Sequence, residues 1–291
     1  MPDTLTRLDV DQTLALAEQV IRWVPDPELP PLGRDSVPEG PLHVGVDLGT
    51  AYLVLVVLDE AYRPLVGEYQ FAQVVRDGLV VDFVGAVDRL REMKARVEKR
   101  LGRQLQHAAS GFPPGVPPPE VRAVANVLEA ANLHCTYLVD EPTAANALLG
   151  LQTGAIVDVG GGTTGIAILQ EGEVVYTADE PTGGTHFSLV VAGSNDIPFE
   201  EAEAMKINPA EQQRLFPVLR PVMEKVASIT VRHIQQSGVP VERLTLVGGT
   251  CSYPGMVAVI EEYTGIPTEV PDRPVFVTPI GMAMHDQDSE L

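Results

Sequence analysis

Apolar positions along the chain alternate between two rhythms, and each rhythm predicts an element type. Three apolar runs come first, LHVGVD, YLVLVVL and PLVGEYQFA, and read as strands. Asp47, Leu48, Gly49, Thr50 and Ala51 make the turn between the first two. Val87, Leu90, Lys94 (by its aliphatic stem), Val97 and Leu101 then share one stripe and predict a helix over roughly 85–101. QLQHAASGF predicts a fourth strand, and the Pro-rich FPPGVPPPE leads into the helix EVRAVANVLEAA. HCTYLVD is a fifth strand, running directly into a helix that begins at Glu141-Pro142.

The pattern then restarts. GAIVDVGGGTTGIAIL gives a second strand, glycine turn and strand, and EVVYTAD a third strand. Helical segments occupy much of 184–238, RLTLVGG is a strand, and PGMVAVIEEYTG is a helix opened by Pro and closed by Gly. Asp47 and Asp158 hold equivalent places in the two copies. A hairpin of three strands followed by alternating helices and strands is the order of the ribonuclease-H-like α/β fold. The expectation is two such domains, a duplicated βββαβαβα, flanking a nucleotide cleft and preceded by an N-terminal helical extension. Domain I covers 41–145 plus 277–291, and domain II covers 146–276.

Residues 1–24 read as an amphipathic helix, with Leu16, Val20 and Trp23/Val24 on one side beside Ala17 and Ile21. PDPELPPLGRDSVPEGP, residues 25–41, reads as an extended linker. The helix either packs on its own globular body or docks on a partner as a tethered segment. Composition narrows the partners. At 45% hydrophobic and 21% charged the chain is globular, and a net charge of −20 argues against nucleic acid, whose phosphates demand a basic surface. Cys135 and Cys251 are expected as two reduced, buried thiols. Neither a leader nor a ~20-residue apolar span is expected, which makes the cytoplasm the default location.

The chemistry concentrates in the turns. In each hairpin a strand ends in a carboxylate and turns through glycine to a threonine: Asp47-Leu48-Gly49-Thr50, then Asp158-Val159-Gly160-Gly161-Gly162-Thr163. Successive exposed amides form an anion-binding nest that phosphate can approach without meeting a Cβ. Facing one another, two such turns would grip a polyphosphate, with Asp47 and Asp158 holding Mg²⁺ through water. Both turns open strands, not helices, unlike Walker or Rossmann loops. The strand Leu244–Val247 ends at Gly248, Gly249 and Thr250, where bare backbone would accept a flat ring or ribose.

Taken in order, VGVDLGT, DEPTAANALLG, VDVGGGTTG, LVGGTCSYPGM and VTPIGMAM resemble the phosphate 1, connect 1, phosphate 2, adenosine and connect 2 motifs of the actin/DnaK/sugar-kinase superfamily of actin-like ATPases. Within it, VRDGLVVDF, GGTTGIAI, GGTHFSLVVAGS and FEEAEAMK resemble the ethanolamine-utilisation EutJ family. The resemblance implies ATP or ADP with Mg²⁺ organised by Asp47 and Asp158. Thr50 and Thr163 would contact phosphates beside Gly49 and Gly160–Gly162, and Gly248, Gly249 and Thr250 would underlie adenosine. Glu141 would position the attacking water, and Glu203 with Lys206 would touch the nucleoside, although an exposed helix face also explains that last pair. Small residues at Ala144, Ala145 and Gly281 would let two helices cross closely as a hinge.

The departures limit what carries over. DnaK-type chaperones place a second Asp two residues after the phosphate-2 Thr, where this chain has Gly165. Their phosphate-facing Lys has no evident counterpart, and no peptide-binding domain is expected to follow. The expectation is therefore a nucleotide-dependent conformational switch or slow ATPase. The resemblance makes it a chaperone-like or assembly factor serving ethanolamine-utilisation enzymes or microcompartment proteins, and leaves oligomerisation open. A small-molecule kinase of the same fold and an actin-like polymerising scaffold are the alternatives.

Overall fold

The computed structural model describes residues 9–24, 26–33, 36–76 and 78–287. The chain divides into two compact units, one running to Gly150 and resuming at Phe276, the other spanning Leu151–Val275.

The first unit opens with α1 (Val10–Val20) and β1 (Ile21–Val24), followed by the strands β2 (His43–Leu48), β3 (Tyr52–Leu58) and β4 (Pro64–Phe71). A small hairpin of β5 (Val75–Arg76) and β6 (Leu79–Val80) precedes α2 (Phe83–Leu101). β7 (His107–Phe112), α3 (Pro118–Ala130), β8 (His134–Asp140) and α4 (Glu141–Leu149) complete the contiguous part. The six-stranded sheet runs β1-β4-β3-β2-β7-β8, antiparallel from β4 to β2 and parallel from β2 to β8. Both faces of its centre are covered. Leu53, Leu55 and Val57 of β3 join one core while Val54, Val56 and Leu58 are buried on the opposite face. Two-sided burial is why that strand is an unbroken apolar run.

The second unit repeats the plan. β9 (Gly154–Val159), β10 (Thr164–Gln170) and β11 (Glu173–Glu180) are followed by α5 (Gly184–Asn195), α6 (Phe199–Ile207) and α7 (Pro209–Ser237). β12 (Leu244–Val247), α8 (Met256–Thr264) and β13 (Thr268–Glu269) come next, and α9 (Val277–Met284) returns to the first unit. Its sheet, β11-β10-β9-β12-β13, has the same order and strand directions as β4-β3-β2-β7-β8. α7 begins with Pro209 after the Asn208 cap and is capped after Ser237 by Gly238, whose φ is 68°. α8 starts at Met256, so Pro254 lies ahead of the helix it was expected to open.

The N-terminal segment departs from expectation. The helix stops at Val20, and Ile21–Val24 continues as an edge strand in parallel register with Gly67–Gln70. The face that is buried carries Thr13, Leu14 and Ala17, whereas Leu16 and Val20 are only partly covered. Pairing with β4 overrides helical periodicity because β-branched and aromatic residues, here Ile21, Trp23 and Val24, suit an extended edge. The described segment thus packs on its own body, and residues 1–8 of the expected helix lie outside the described residues. Cys251 is buried but Cys135 only partly so, and both are free thiols. Burial, with Glu129 and Asp286 adding to it, pushes the Cys135 thiol up to about 11, so it stays protonated at neutral pH.

Close approach fixes how α9 seats. A Cβ at Gly281 would overlap the Ala144 carbonyl of α4, and one at Gly45 would overlap the Pro279 carbonyl, so small residues set both contacts. Just past α9, Asp286 is fully buried and clamps three strands. Its carboxylate accepts from the Val44 amide (2.7 Å), His107 Nδ1 (2.9 Å) and the Thr136 hydroxyl (2.5 Å), while its carbonyl lies 2.6 Å from His43 Nδ1. Removing the shared acceptor of a buried hydrogen-bond network leaves its donors unsatisfied. Asp286→Ala is therefore expected to destabilise the first unit by about 3 kcal/mol, read as a lower urea midpoint. An unchanged midpoint would show that the clamp is dispensable.

Candidate functional site

The two glycine turns close in the same way. Gly49 N–H donates to the Tyr52 carbonyl at 3.0 Å, and Gly160 N–H to the Thr163 carbonyl at 3.0 Å. Each donor stands two residues after the strand-borne carboxylate, Asp47 or Asp158, so the duplication extends to individual hydrogen bonds. Asp47, Gly49, Thr50 and, at the first turn of α4, Glu141 are half-buried. Asp140 caps α4 by accepting from the Thr143 amide at 3.1 Å, which holds Glu141 at the helix N-terminus.

The second turn is the better supported. Its Gly160 carbonyl accepts from the Gly184 amide (2.9 Å) and its Gly161 carbonyl from the Thr185 amide (2.7 Å), both at the start of α5. The Thr250 hydroxyl also donates to the Gly160 carbonyl, at 2.8 Å. In a trans peptide the C=O and the following N–H point in opposite directions. Holding these two carbonyls toward α5 therefore turns the Gly161 and Gly162 amides away from it, as consecutive donors. Consecutive donors of this kind are able to receive an anion.

Asp158 is buried, on a β9 that is flanked by β10 and β12. Gly248, at φ 88°, passes so close that a Cβ there would overlap the Asp158 carboxylate, so glycine is required on both counts. Gly249 is exposed, and a Cβ there would make only ordinary contact with Val275 (3.5 Å), leaving its backbone bare to solvent. Thr163 is buried.

Glu203 and Lys206 are not an exposed helix face. Their side chains retain 12% and 13% exposure and pair at 2.7 Å. Lys206 Nζ also donates to the Gly184 carbonyl (3.1 Å) and the Ser188 hydroxyl (3.0 Å), and Ser188 donates to Glu203 through a short contact. Those three acceptors account for all three ammonium donors. In this arrangement Lys206 braces the α5 N-terminus that holds the glycine turn, one layer behind it. The exposed-face reading fails because α6 folds back onto α5. Burial lowers the Lys206 pKa, opposed by Glu203.

Strand register adds one carboxylate that motif spacing missed. Gly165 pairs with Asp158 on one side and with Asp179 on the other. Cross-strand partners share a sheet face. Asp158 and Asp179 thus flank a position that bears no side chain, and the only signal was the register of EVVYTAD. Among the described residues no group of three or more His, Cys, Asp or Glu could hold a metal ion, and no helix is long and apolar enough to cross a membrane.

Comparison with known proteins gives consistent relatives. The family model described as type IV pilus assembly protein PilM matches residues 142–278, and that of MreB/Mbl protein matches 65–192. The ethanolamine utilization protein EutJ of Salmonella typhimurium is 45% identical over 244 residues, 84% of this chain and 85% of that protein. The crystal structure of EutJ from Carboxydothermus hydrogenoformans superposes with a TM-score of 0.83 at 44% identity, covering 94% of this chain and 97% of that one. MreB5 of Spiroplasma citri bound to AMPPNP matches with a TM-score of 0.67 over 84% of this chain and 95% of that one; at 17% identity this likeness shows the fold alone.

The bracing of α5 is testable without any ligand. Lys206→Met leaves the buried Glu203 carboxylate uncompensated and is expected to cost about 3 kcal/mol. Lys206→Met with Glu203→Gln should recover a substantial part of that loss. Additive losses in this double-mutant cycle, measured by urea unfolding, would show that the two side chains are not coupled.

Proposed function

The chain belongs to the EutJ family of ethanolamine utilization proteins, which has the actin-like ATPase fold, and on that footing we propose that it is an ATP- and ADP-binding conformational switch of the ethanolamine-degrading system. The observation that carries this reading is the repeated turn: a strand-end carboxylate, a glycine amide bonded to the carbonyl three residues on, and a threonine, on two sheets of one order.

The residues fit a nucleotide. The Gly161 and Gly162 amides provide consecutive donors for a phosphate, with Thr163 beside them, and Gly49 with Thr50 provides the second set. Exposed backbone at Gly249, beside Gly248 and Thr250, suits a nucleoside. The second turn is backed directly by Thr250 and the first amides of α5, which hold its carbonyls, and indirectly by Lys206 and Glu203, which hold the Gly184 carbonyl of α5. A preorganised donor set costs no reorganisation on binding.

Mg²⁺ fits as well. It keeps several waters and needs only one or two carboxylates plus substrate phosphates, and Asp47 and Asp158 would hold it through water. When bound it would supply charge neutralisation at the phosphates. Glu141 would orient water for hydrolysis from the first turn of α4. Gly165 brings no side chain, so water positioning rests on fewer groups and turnover is slow. The nucleotide state would change the surface shown to an enzyme or microcompartment partner, the chaperone-like or assembly role.

Calorimetric titration with ATP and ADP in the presence of Mg²⁺ tests the reading. Saturable binding is expected, with Asp47→Ala and Asp158→Ala each weakening it by about tenfold or more, the loss of one charge-assisted contact. Glu141→Gln should retain binding and reduce the slow hydrolysis. Absence of ATP binding by the wild type, or indifference to both aspartate substitutions, would refute the proposal.

A further inference from the structure

The first unit holds a cavity of 240 Å³ among β1, the 28–31 segment, β4 and α2, many times the ~15 Å³ that admits one water. The side chains of Arg22, Arg96, Lys99 and Arg100 line it, against only two carboxylates, Glu28 and Glu68. In a chain with a net charge of −20 this local excess of cations is out of character. Glu68 is already shared: Arg22 Nη2 meets its Oε1 at 2.6 Å and Arg96 Nε its Oε2 at 2.8 Å. Glu28 pairs with Lys99 at 3.0 Å. Glu92 approaches Arg96 only at 3.9 Å and is itself 69% exposed. Arg100 is held by a backbone carbonyl, that of Val20, at 2.6 Å. Its Nε and the Nη2 of Arg96 are buried with no hydrogen-bond partner among the described residues.

Four cations thus line the cavity against two carboxylates, and two buried guanidinium N–H donors have no acceptor among the described residues, a cost that a bound oxyanion would remove. Guanidinium groups match planar or tetrahedral oxyanions through paired N–H donors. We propose that this cavity binds a small oxyanion, a phosphate or carboxylate group, and that the bound anion fastens α1, β1 and the 28–31 segment to α2. Burial lowers the Arg100 pKa, opposed by Glu68 and reinforced by Arg22, as expected for a guanidinium with too little negative charge nearby. The site lies wholly within the first unit and does not depend on the nucleotide reading.

Titration of the full chain with inorganic phosphate in chloride buffer, followed by the fluorescence of Trp23, tests the proposal. Trp23 is the only tryptophan and adjoins Arg22 in β1. Lys99→Glu and Glu28→Gln change the local charge in opposite directions at side chains 70% and 60% exposed, so the fold should survive both. Saturable binding is expected in the wild type, weakened about tenfold by Lys99→Glu and tightened several-fold by Glu28→Gln. No saturable response in the wild type, or equal affinity in all three proteins, would overturn the proposal. Equal affinity would place the phosphate elsewhere, as at the glycine turns.

Discussion

Peptide planarity governs the glycine turn on which the functional reading rests. Once the Gly160 and Gly161 carbonyls are tied to the first amides of α5, the next two N–H groups must face the other way. No side chain is needed to present them, and a side chain would obstruct an approaching phosphate. The turn is thereby both a structural joint between β9, β10 and α5 and a set of aligned donors.

The surroundings serve that joint. Thr250 reaches back from the end of β12 to the Gly160 carbonyl, and Lys206 holds the Gly184 carbonyl from α6. Lys206 is tolerated away from water because Glu203 and Ser188 occupy its remaining donors. A buried ion pair of this kind contributes little net stability but fixes one arrangement, since breaking it would strand a charge. The arrangement here is the orientation of α5 beneath the turn.

The first unit solves a related problem at its own edges. Asp286 ties β2, β7 and β8 together just beyond α9, while Gly281 and Gly45 let α9 lie directly on α4 and β2. On the far edge, β1 extends the sheet and brings Arg22 beside Glu68 in register. Charge is concentrated there on a scale the acidic composition conceals.

Much of the chain could be read without coordinates. Alternation of strand and helix rhythms located the duplicated order, and the spacing of Asp, Gly and Thr located both turns, because these are local properties of backbone preference and side-chain period. The family resemblance was likewise carried by contiguous motifs. What spacing could not supply were contacts made across distant segments. Ile21–Val24 reads as helix until β4 offers it a hydrogen-bonded edge. Glu203 and Lys206 read equally as a nucleoside contact or a solvated face until α6 folds onto α5. Asp179 comes to face Asp158 across Gly165 only through strand register, and Arg96 joins Arg22 at Glu68 only once β1, β4 and α2 are assembled. Periodicity reports what a segment prefers alone, whereas burial and pairing depend on which other segment arrives.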